Sequence, residues 1–269
     1  MRYEPVKKRL GGFFGKSSLL RKVFYKLLDL LLLRAWHIHK ELKAWAKDKL
    51  DKHIHILDAG AGFGQHTYFL ANMSPKWSVL AVDVKQDDVC ECNHFFHRTE
   101  KNNVLFRTED LTKFQQPDTF DLILSVDVME YIKEDCKVLK NFYHSLKEDG
   151  LLLLTVPSDK GGSDVYKPGD KSFIEEHIRN GYSTAEMKQK LKKAGFSKVD
   201  IKYTYGTPGN RSWRLSLKYP MLMVGTSKYM FTMLPFYYLL IFPVCYLLNY
   251  LDVTHEHKTG TSILVKAYK

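Results

Sequence analysis

Short apolar runs alternate with segments of helical period along most of the chain. Residues 53–58 (HIHILD), 77–83 (WSVLAVD), 103–107, 120–126 (FDLILSV), 151–156 (LLLLTV), 199–205 and 262–268 predict seven strands. Residues 64–73, 133–146 and 183–194 predict helices between them, the last stopped by Gly195. Strands that are apolar on both faces and separated by helices imply an α/β fold, a mostly parallel sheet covered by helices on both sides.

Two segments depart from this alternation. Residues 13–35 (FFGKSSLLRKVFYKLLDLLLLRA) mix a leucine stripe with Lys16, Arg21, Lys22, Lys26 and Arg34, the pattern of a basic amphipathic helix that packs either on its own domain or on a membrane surface. Residues 229–251 (YMFTMLPFYYLLIFPVCYLLNYL) run for 23 positions without a charge, enough by count for a hydrocarbon core that needs roughly 20 helical residues. A single crossing is incompatible with flanking strands that join one sheet, because the chain must return to the side it left. The apolar piece at 219–224 is short for a second crossing and is flanked by Arg214, Lys218 and Lys228. Pro235 and Pro243 are expected to break a straight helix. The expectation is therefore a monotopic or re-entrant element at the membrane interface. A buried helical subdomain or an oligomer contact is the alternative.

Charge sharpens this picture. Lys and Arg number 41 against 30 Asp and Glu, a net +11 in 269 residues, and residues 1–52 hold fourteen of the basic residues against five acidic ones. An excess of that size favours an anionic partner, a membrane surface or a nucleic acid. Cys90, Cys92, Cys136 and Cys245 form no paired framework and no secretory leader pattern is seen near the start, so a reduced, cytoplasmic setting is expected, with the protein peripheral or monotopic on the inner face of the membrane.

The candidate chemistry begins where the first strand ends, in Asp58-Ala59-Gly60-Ala61-Gly62-Phe63-Gly64, a glycine-rich turn opening a helix. Glycines suit a tight turn that a ligand must approach without a Cβ in the way. Asp83 closes the second strand nineteen residues after Gly64, where a carboxylate can accept both ribose hydroxyls of an adenosine. A dinucleotide site spaces its glycines as Gly-x-Gly-x-x-Gly for a pyrophosphate. Here the spacing is Gly-x-Gly-x-Gly behind an acid, which better suits a cationic amino-acid tail.

In these residues the chain resembles the class I S-adenosylmethionine-dependent methyltransferases, whose first motif is matched by Asp58, Gly60, Gly62 and Gly64. The resemblance continues through Asp83 as the ribose acid, Asp110 and Leu111 after the third strand at the adenine, Ser125 and the residues after it at the methionine moiety, and Gly150 to Pro157 at the fifth strand. It implies a Rossmann-like sheet in the order 3-2-1-4-5-7-6 and S-adenosyl-L-methionine as cofactor, with S-adenosyl-L-homocysteine as product. Small-molecule and lipid methyltransferases are the members it most resembles. Many relatives carry His where Tyr131 stands, and in some metal-dependent ones that His joins carboxylates around a cation. Its replacement leaves a metal site from Asp127, Glu130 and His177 poorly supported, and no metal is expected.

Residues 176–183 (EHIRNGYS) resemble a stretch that lies across the mouth of the pocket in such enzymes. His177 is the candidate general base, Arg179 the candidate for orienting it or holding an anionic group, and Tyr131 a third candidate at the acceptor. The same His and Arg can equally cap a loop. Motifs used on exocyclic amines of nucleobases (Asn/Asp-Pro-Pro-Tyr) or for covalent attack on pyrimidines (Pro-Cys) are missing, so nucleic acid is disfavoured as acceptor. The sequence reads as a basic helical arm over 1–50, a cofactor-binding core over 51–206 completed by 258–269, and a hydrophobic insert over 207–257. The expected activity is methylation, at oxygen before nitrogen, of a lipophilic or amphiphilic small molecule with a lipid, quinone-like or polyketide-like headgroup at an anionic membrane surface. A soluble small-molecule enzyme whose insert is a lid or dimer contact is the alternative, and an RNA methyltransferase a more distant one.

Overall fold

The computed structural model describes residues 17–167, 172–174, 176–226 and 230–269. Residues 13–16 of the amphipathic segment and residue 229 of the uncharged run lie outside them.

Seven strands form one sheet: β1 (Ile54–Ala59), β2 (Trp77–Asp83), β3 (Val104–Thr108), β4 (Phe120–Val126), β5 (Leu146–Pro157), β6 (Lys198–Thr204) and β7 (Ser262–Tyr268). Their order is β3-β2-β1-β4-β5-β7-β6, as the resemblance implied. The pairings from β3 to β5 are parallel, and β7 runs antiparallel between β5 and β6. Leu57, Ile123, Leu152 and Leu154 fill the core on one face of this sheet, and Ile56, Leu122, Leu124 and Leu153 fill it on the other.

Ahead of β1 the described residues form two helices, α1 (Ser18–Leu31) and α2 (Leu33–Ala46), separated by Leu32 in an extended conformation. α2 is an integral layer of the domain, laying Ile38, Leu42 and Ala46 on the sheet. α3 (Gln65–Met73) follows the glycine-rich turn, and α4 (Gln86–Arg98), which the sequence reading did not pick out, connects β2 to β3. α5 (Asp135–Ser145) and α6 (Thr184–Ala194) complete the core helices. α6 starts where the Ser183 hydroxyl accepts the Glu186 amide at 3.1 Å and stops at Gly195, whose φ of +118° suits glycine.

Between β6 and β7 the chain builds a helical hairpin. Its first arm is α7 (Thr207–Trp213), a π-helical turn (Arg214–Lys218) and α8 (Tyr219–Thr226); its second is the 25-residue α9 (Met230–Thr254). Pro235 and Pro243 lie inside α9 and the helix continues through both, against the expectation that they would break it. A proline removes one backbone hydrogen bond per site, and a helix whose neighbours re-satisfy the freed groups absorbs that as a local adjustment. Because β6 and β7 are direct neighbours in the sheet, the hairpin leaves and returns on one side.

Burial in α1 and α9 is reversed relative to a soluble surface helix. α1 buries Arg21 and Tyr25 and exposes Leu19, Leu20, Val23, Leu27 and Leu30. α9 buries Cys245, Asn249 and Asp252 and exposes Met233, Phe236, Val244 and Leu247, with Leu239 and Leu240 at 74% and 75% exposure. The polar side chains explain the inward face. Asn249 accepts the Ser212 hydroxyl at 2.6 Å. Asp252 accepts from His37 Nε2 at 2.8 Å, the Gly209 amide at 2.9 Å and the Tyr205 amide at 3.2 Å. α9 is thus pinned to the domain by hydrogen bonds near its C-terminal end. Trp36 of α2 donates to the Leu30 carbonyl of α1 at 3.1 Å and meets Tyr246 of α9 edge-on at 5.0 Å, which brings the two reversed helices to one side of the molecule. Among the described residues one helical stretch, Thr232–Thr254, is long and apolar enough to cross a membrane by length and composition.

Candidate active site

The carboxyl ends of β1, β2, β3 and β4 open into a cavity of about 840 Å³ that runs on to the insert. That is near the upper end of the range of about 300–1,000 Å³ usual for ligand pockets. Gly60, Gly62, Asp83, Asp110 and Leu111 line one end; Trp213, Leu217 and Met221 of the insert line the other.

The glycine-rich turn has positive φ at Gly60 (+84°), Gly62 (+51°) and Gly64 (+75°). At two of these sites contact also excludes a side chain. A Cβ on Gly60 would stand 2.3 Å from Val128 Cγ2, and one on Gly64 would stand 2.9 Å from the Phe106 ring. Around Gly62 there is open space, and its amide donates to Asp83 Oδ2 at 2.9 Å. Asp83 Oδ1 accepts the Lys85 amide at 3.1 Å, and a carboxylate with one bond at each oxygen keeps acceptor capacity. Exposed Val84 and buried Leu111 stand on the same stretch of wall. Asp110 is fixed by its own turn, accepting the Thr112 amide at 2.9 Å and hydroxyl at 2.7 Å, which hold its carboxyl below the ordinary range.

Three sequence candidates stand behind the wall. Asp58 is buried, accepts the Thr67 hydroxyl at 2.5 Å and is pushed up to about 7 chiefly by desolvation, with the Asp83 charge adding to it. Ser125 is fully buried, with its hydroxyl unpartnered. Neither of them, nor Gly64, lines the cavity.

The N-terminal helices close the cavity from above. Arg21 donates to the Phe63 carbonyl at 3.0 Å, the Glu91 carbonyl at 3.2 Å and Cys92 Sγ at 2.9 Å, and the Tyr25 hydroxyl also donates to the Phe63 carbonyl. Gln65 donates to Asp29 at 2.7 Å. These bonds latch α1 onto the glycine-rich turn, while Phe24, Leu28 and Leu32 face the cavity.

A compact polar cluster lies just past β4, on the turn that packs against Gly60. Asp127, at a φ of +52°, pairs with Arg34 at 2.6 Å and accepts the Thr155 hydroxyl at 3.1 Å. Glu130 is 1% exposed; burial first, and the Asp127 charge second, push its carboxyl well above the usual range. Among the described residues its Oε2 has no hydrogen-bond partner. His177 Nδ1 lies 2.7 Å from the Ser163 hydroxyl, Nε2 lies 3.9 Å from Glu130 Oε1, and its ring stands edge-on to Tyr131 at 4.7 Å. Burial lowers the His177 pKa, partly offset by Asp127 and Glu176. His177 and Tyr131 line the cavity and Arg179 does not. The Arg179 guanidinium donates to the Ile132 and Lys133 carbonyls at 3.2 Å each and pairs with Asp135 at 3.1 Å. Asp127, Glu130 and His177 share this corner, but among the described residues no group of three or more His, Cys, Asp or Glu side chains is arranged to hold a metal ion.

Arg34, Glu130 and the Arg21–Tyr25 latch were not read as site residues from the sequence. The spacing of Asp127 and Glu130 was visible there. That Arg34 would cross from the basic arm to neutralise one of them was not.

A family model described as a methyltransferase domain matches residues 50–203. Malonyl-[acyl-carrier protein] O-methyltransferase of Bacillus anthracis is 27% identical over 133 residues, 49% of this chain and 48% of that protein. tRNA U34 carboxymethyltransferase of Aeromonas hydrophila is 26% identical over 179 residues, 61% of this chain and 53% of that protein. The chain therefore spans about half the length of these curated relatives. Among solved structures, Haemonchus contortus phosphoethanolamine N-methyltransferase 2 in complex with S-adenosyl-L-methionine superposes with a TM-score of 0.62 at 18% identity, covering 86% of this chain and 52% of that one. The three named acceptors differ in kind, so the likeness bears on fold and cofactor.

Proposed function

This chain belongs to the class I S-adenosylmethionine-dependent methyltransferases, and from that premise we propose that it methylates a lipophilic or amphiphilic small molecule at an anionic membrane surface. The cofactor is S-adenosyl-L-methionine. The residues at the glycine-rich end fit it: the space over Gly62 leaves room for close approach, and Asp83 keeps acceptor capacity beside it. In this reading Asp83 receives the ribose hydroxyls, Val84 and Leu111 flank the adenine, and Asp110 faces its amino group. Asp58 and Ser125 act from behind, as supports of the turn and of the β4 end.

When bound, the cofactor supplies a methyl group activated by a neighbouring sulfonium charge, with a neutral thioether as leaving group. What the protein must do is align an acceptor in line with that methyl and keep water away. The cavity suits this work. α1 covers the glycine-rich end, and Trp213, Leu217 and Met221 offer an apolar wall to the acceptor's body. A protic acceptor also needs a group to take its proton, and the Glu130–His177 corner is where such groups gather.

The observation that carries the membrane reading is the reversed burial of α1 and α9 beside the cavity. Apolar faces of this extent on two adjoining helices fit a lipid surface. The hairpin enters and leaves on one side, which suits a monotopic arrangement. Lys22, Lys26 and Lys40 on the two arm helices supply charge for anionic headgroups. The alternative, a soluble enzyme whose insert is a dimer contact, is favoured by the same exposed face.

The test is methyl transfer from labelled S-adenosyl-L-methionine into a total lipid extract, with flotation of the protein on anionic vesicles. Label in the organic phase and co-flotation are expected. A protein that stays in solution at high salt without detergent, runs as a dimer and labels only water-soluble acceptors would overturn the membrane reading.

A further inference from the structure

We propose that Glu130 takes the proton of the methyl acceptor, with His177 as its positioning partner, so that the pocket selects an acceptor bearing an O–H or N–H on an apolar body. This rests on the reading of the cavity as the acceptor site. The turn that carries Glu130 abuts the glycine-rich turn, since Val128 occupies the space that a Gly60 side chain would need. Both turns line one cavity. Glu130 therefore sits next to the cofactor end of the cavity.

The assignment follows from which atoms are free. Asp127 is committed to Arg34 and Thr155. His177 Nδ1 is engaged by the Ser163 hydroxyl at 2.7 Å, and Nε2 is turned toward Glu130 Oε1 at 3.9 Å, so the imidazole faces the carboxyl. Glu130 lines the cavity, and its Oε2 is buried and unpartnered among the described residues. A buried carboxyl oxygen left without a partner is costly in the free protein, and a ligand that donates a hydrogen bond to it removes that cost. Selectivity follows, because an acceptor lacking the donor leaves the oxygen unsatisfied.

The step balances simply. The acceptor's oxygen or nitrogen forms a bond to the methyl carbon as the carbon–sulfur bond breaks with its electron pair on sulfur, and the acceptor's proton passes to Glu130 Oε2. His177, held at Nδ1 by the Ser163 contact, turns Nε2 toward the other carboxyl oxygen and so orients the carboxyl. Asp127, Arg34, His177, Glu176 and Tyr182 are the charged or titratable groups around Glu130. Burial and Asp127 favour its protonated form, and Arg34 opposes this. Glu130 must be ionised to accept, so the rate should rise with pH through an apparent pKa above the ordinary carboxylate range.

The experiment compares wild type, Glu130→Gln and Ser163→Ala in labelled transfer to total lipid extract across pH, with calorimetric binding of S-adenosyl-L-methionine alongside. Glu130→Gln is expected to lower the rate by about 10²-fold or more, to abolish the rising limb and to leave cofactor affinity within twofold. Ser163→Ala should shift the limb with a smaller loss of rate. Retained rate in Glu130→Gln overturns the proposal and leaves the lipophilic acceptor standing. Loss of cofactor affinity also overturns it, since Glu130 would then serve the cofactor. If wild type labels no lipid, the acceptor reading fails separately and the carboxyl itself decides. In protein carrying ¹³C-carboxyl glutamate, the signal missing from Glu130→Gln should titrate above the ordinary glutamate range and move in His177→Asn. A Glu130 signal with ordinary titration, or one blind to His177, overturns the proposal.

Discussion

Asp83 is the residue on which cofactor binding is expected to turn, because it accepts the Gly62 amide and is the proposed ribose contact. Asp83→Ala should weaken calorimetric affinity for S-adenosyl-L-methionine by about 10²-fold, on the scale of lost hydrogen bonds to a charged group, while circular dichroism stays unchanged. Gly60→Ala should do more, since the new Cβ meets Val128 at 2.3 Å on a backbone at φ +84°. Both melting temperature and affinity should fall. Asp58 makes a prediction about pH. Its folded pKa of about 7 lies above the ordinary value of about 4, so its contribution to stability is fully present below about pH 4 and is lost as pH rises to about 7. Asp58→Asn should flatten the denaturant midpoint of the free protein over that window. At this scale Asp58, Gly60, Gly62 and Asp83 could be picked out from their spacing, and Asp110 from the resemblance. What spacing hides is which of them faces a cavity, because a carboxylate one residue before a turn can point into it or beneath it. Arg179 was equally visible, and only its three-dimensional neighbours show it tied to loop carbonyls instead of aimed at a ligand.

At the scale of elements the period of the sequence located every strand within a residue or two at most ends, because the central ones are apolar on both faces and the edge strand β6 alternates apolar with charged residues. The 13–35 segment was harder. Its leucines and lysines alternate at helical spacing, but hydropathy alone points the leucines inward, whereas Arg21 and Tyr25 turn in to meet the Phe63 carbonyl. A long-range partner outweighed the local pattern. The same holds for α9, whose Asn249 and Asp252 find Ser212 and His37 inside. Since Leu239 and Leu240 are largely exposed, replacing both by Asp should leave the melting temperature within a few degrees. Binding to anionic vesicles should drop by about tenfold or more, the size expected for removing two leucines from an apolar surface. Co-sedimentation measures it, and undiminished binding by the double variant would count against α9 as the contact.

The whole molecule joins a cofactor fold readable from its motifs to an accessory surface that those motifs say nothing about. The strand order follows from the resemblance and the parallel pattern, whereas the meeting of α1, α2 and α9 on one side rests on contacts such as Trp36 with Tyr246. A surface built from both ends of a sequence leaves no contiguous trace in it. The position of β7 has a consequence for biosynthesis. Ile263, Leu264, Val265 and Ala267 are wholly enclosed between β5 and β6, yet they are translated after the entire apolar hairpin. A ribosome releases that hairpin before the scaffold meant to carry it is finished, so the nascent chain must shelter more than twenty greasy residues for the time needed to make the last strand. Slowing translation near codon 258 should therefore increase the yield of aggregated product, and co-expressed holdase chaperones should restore it.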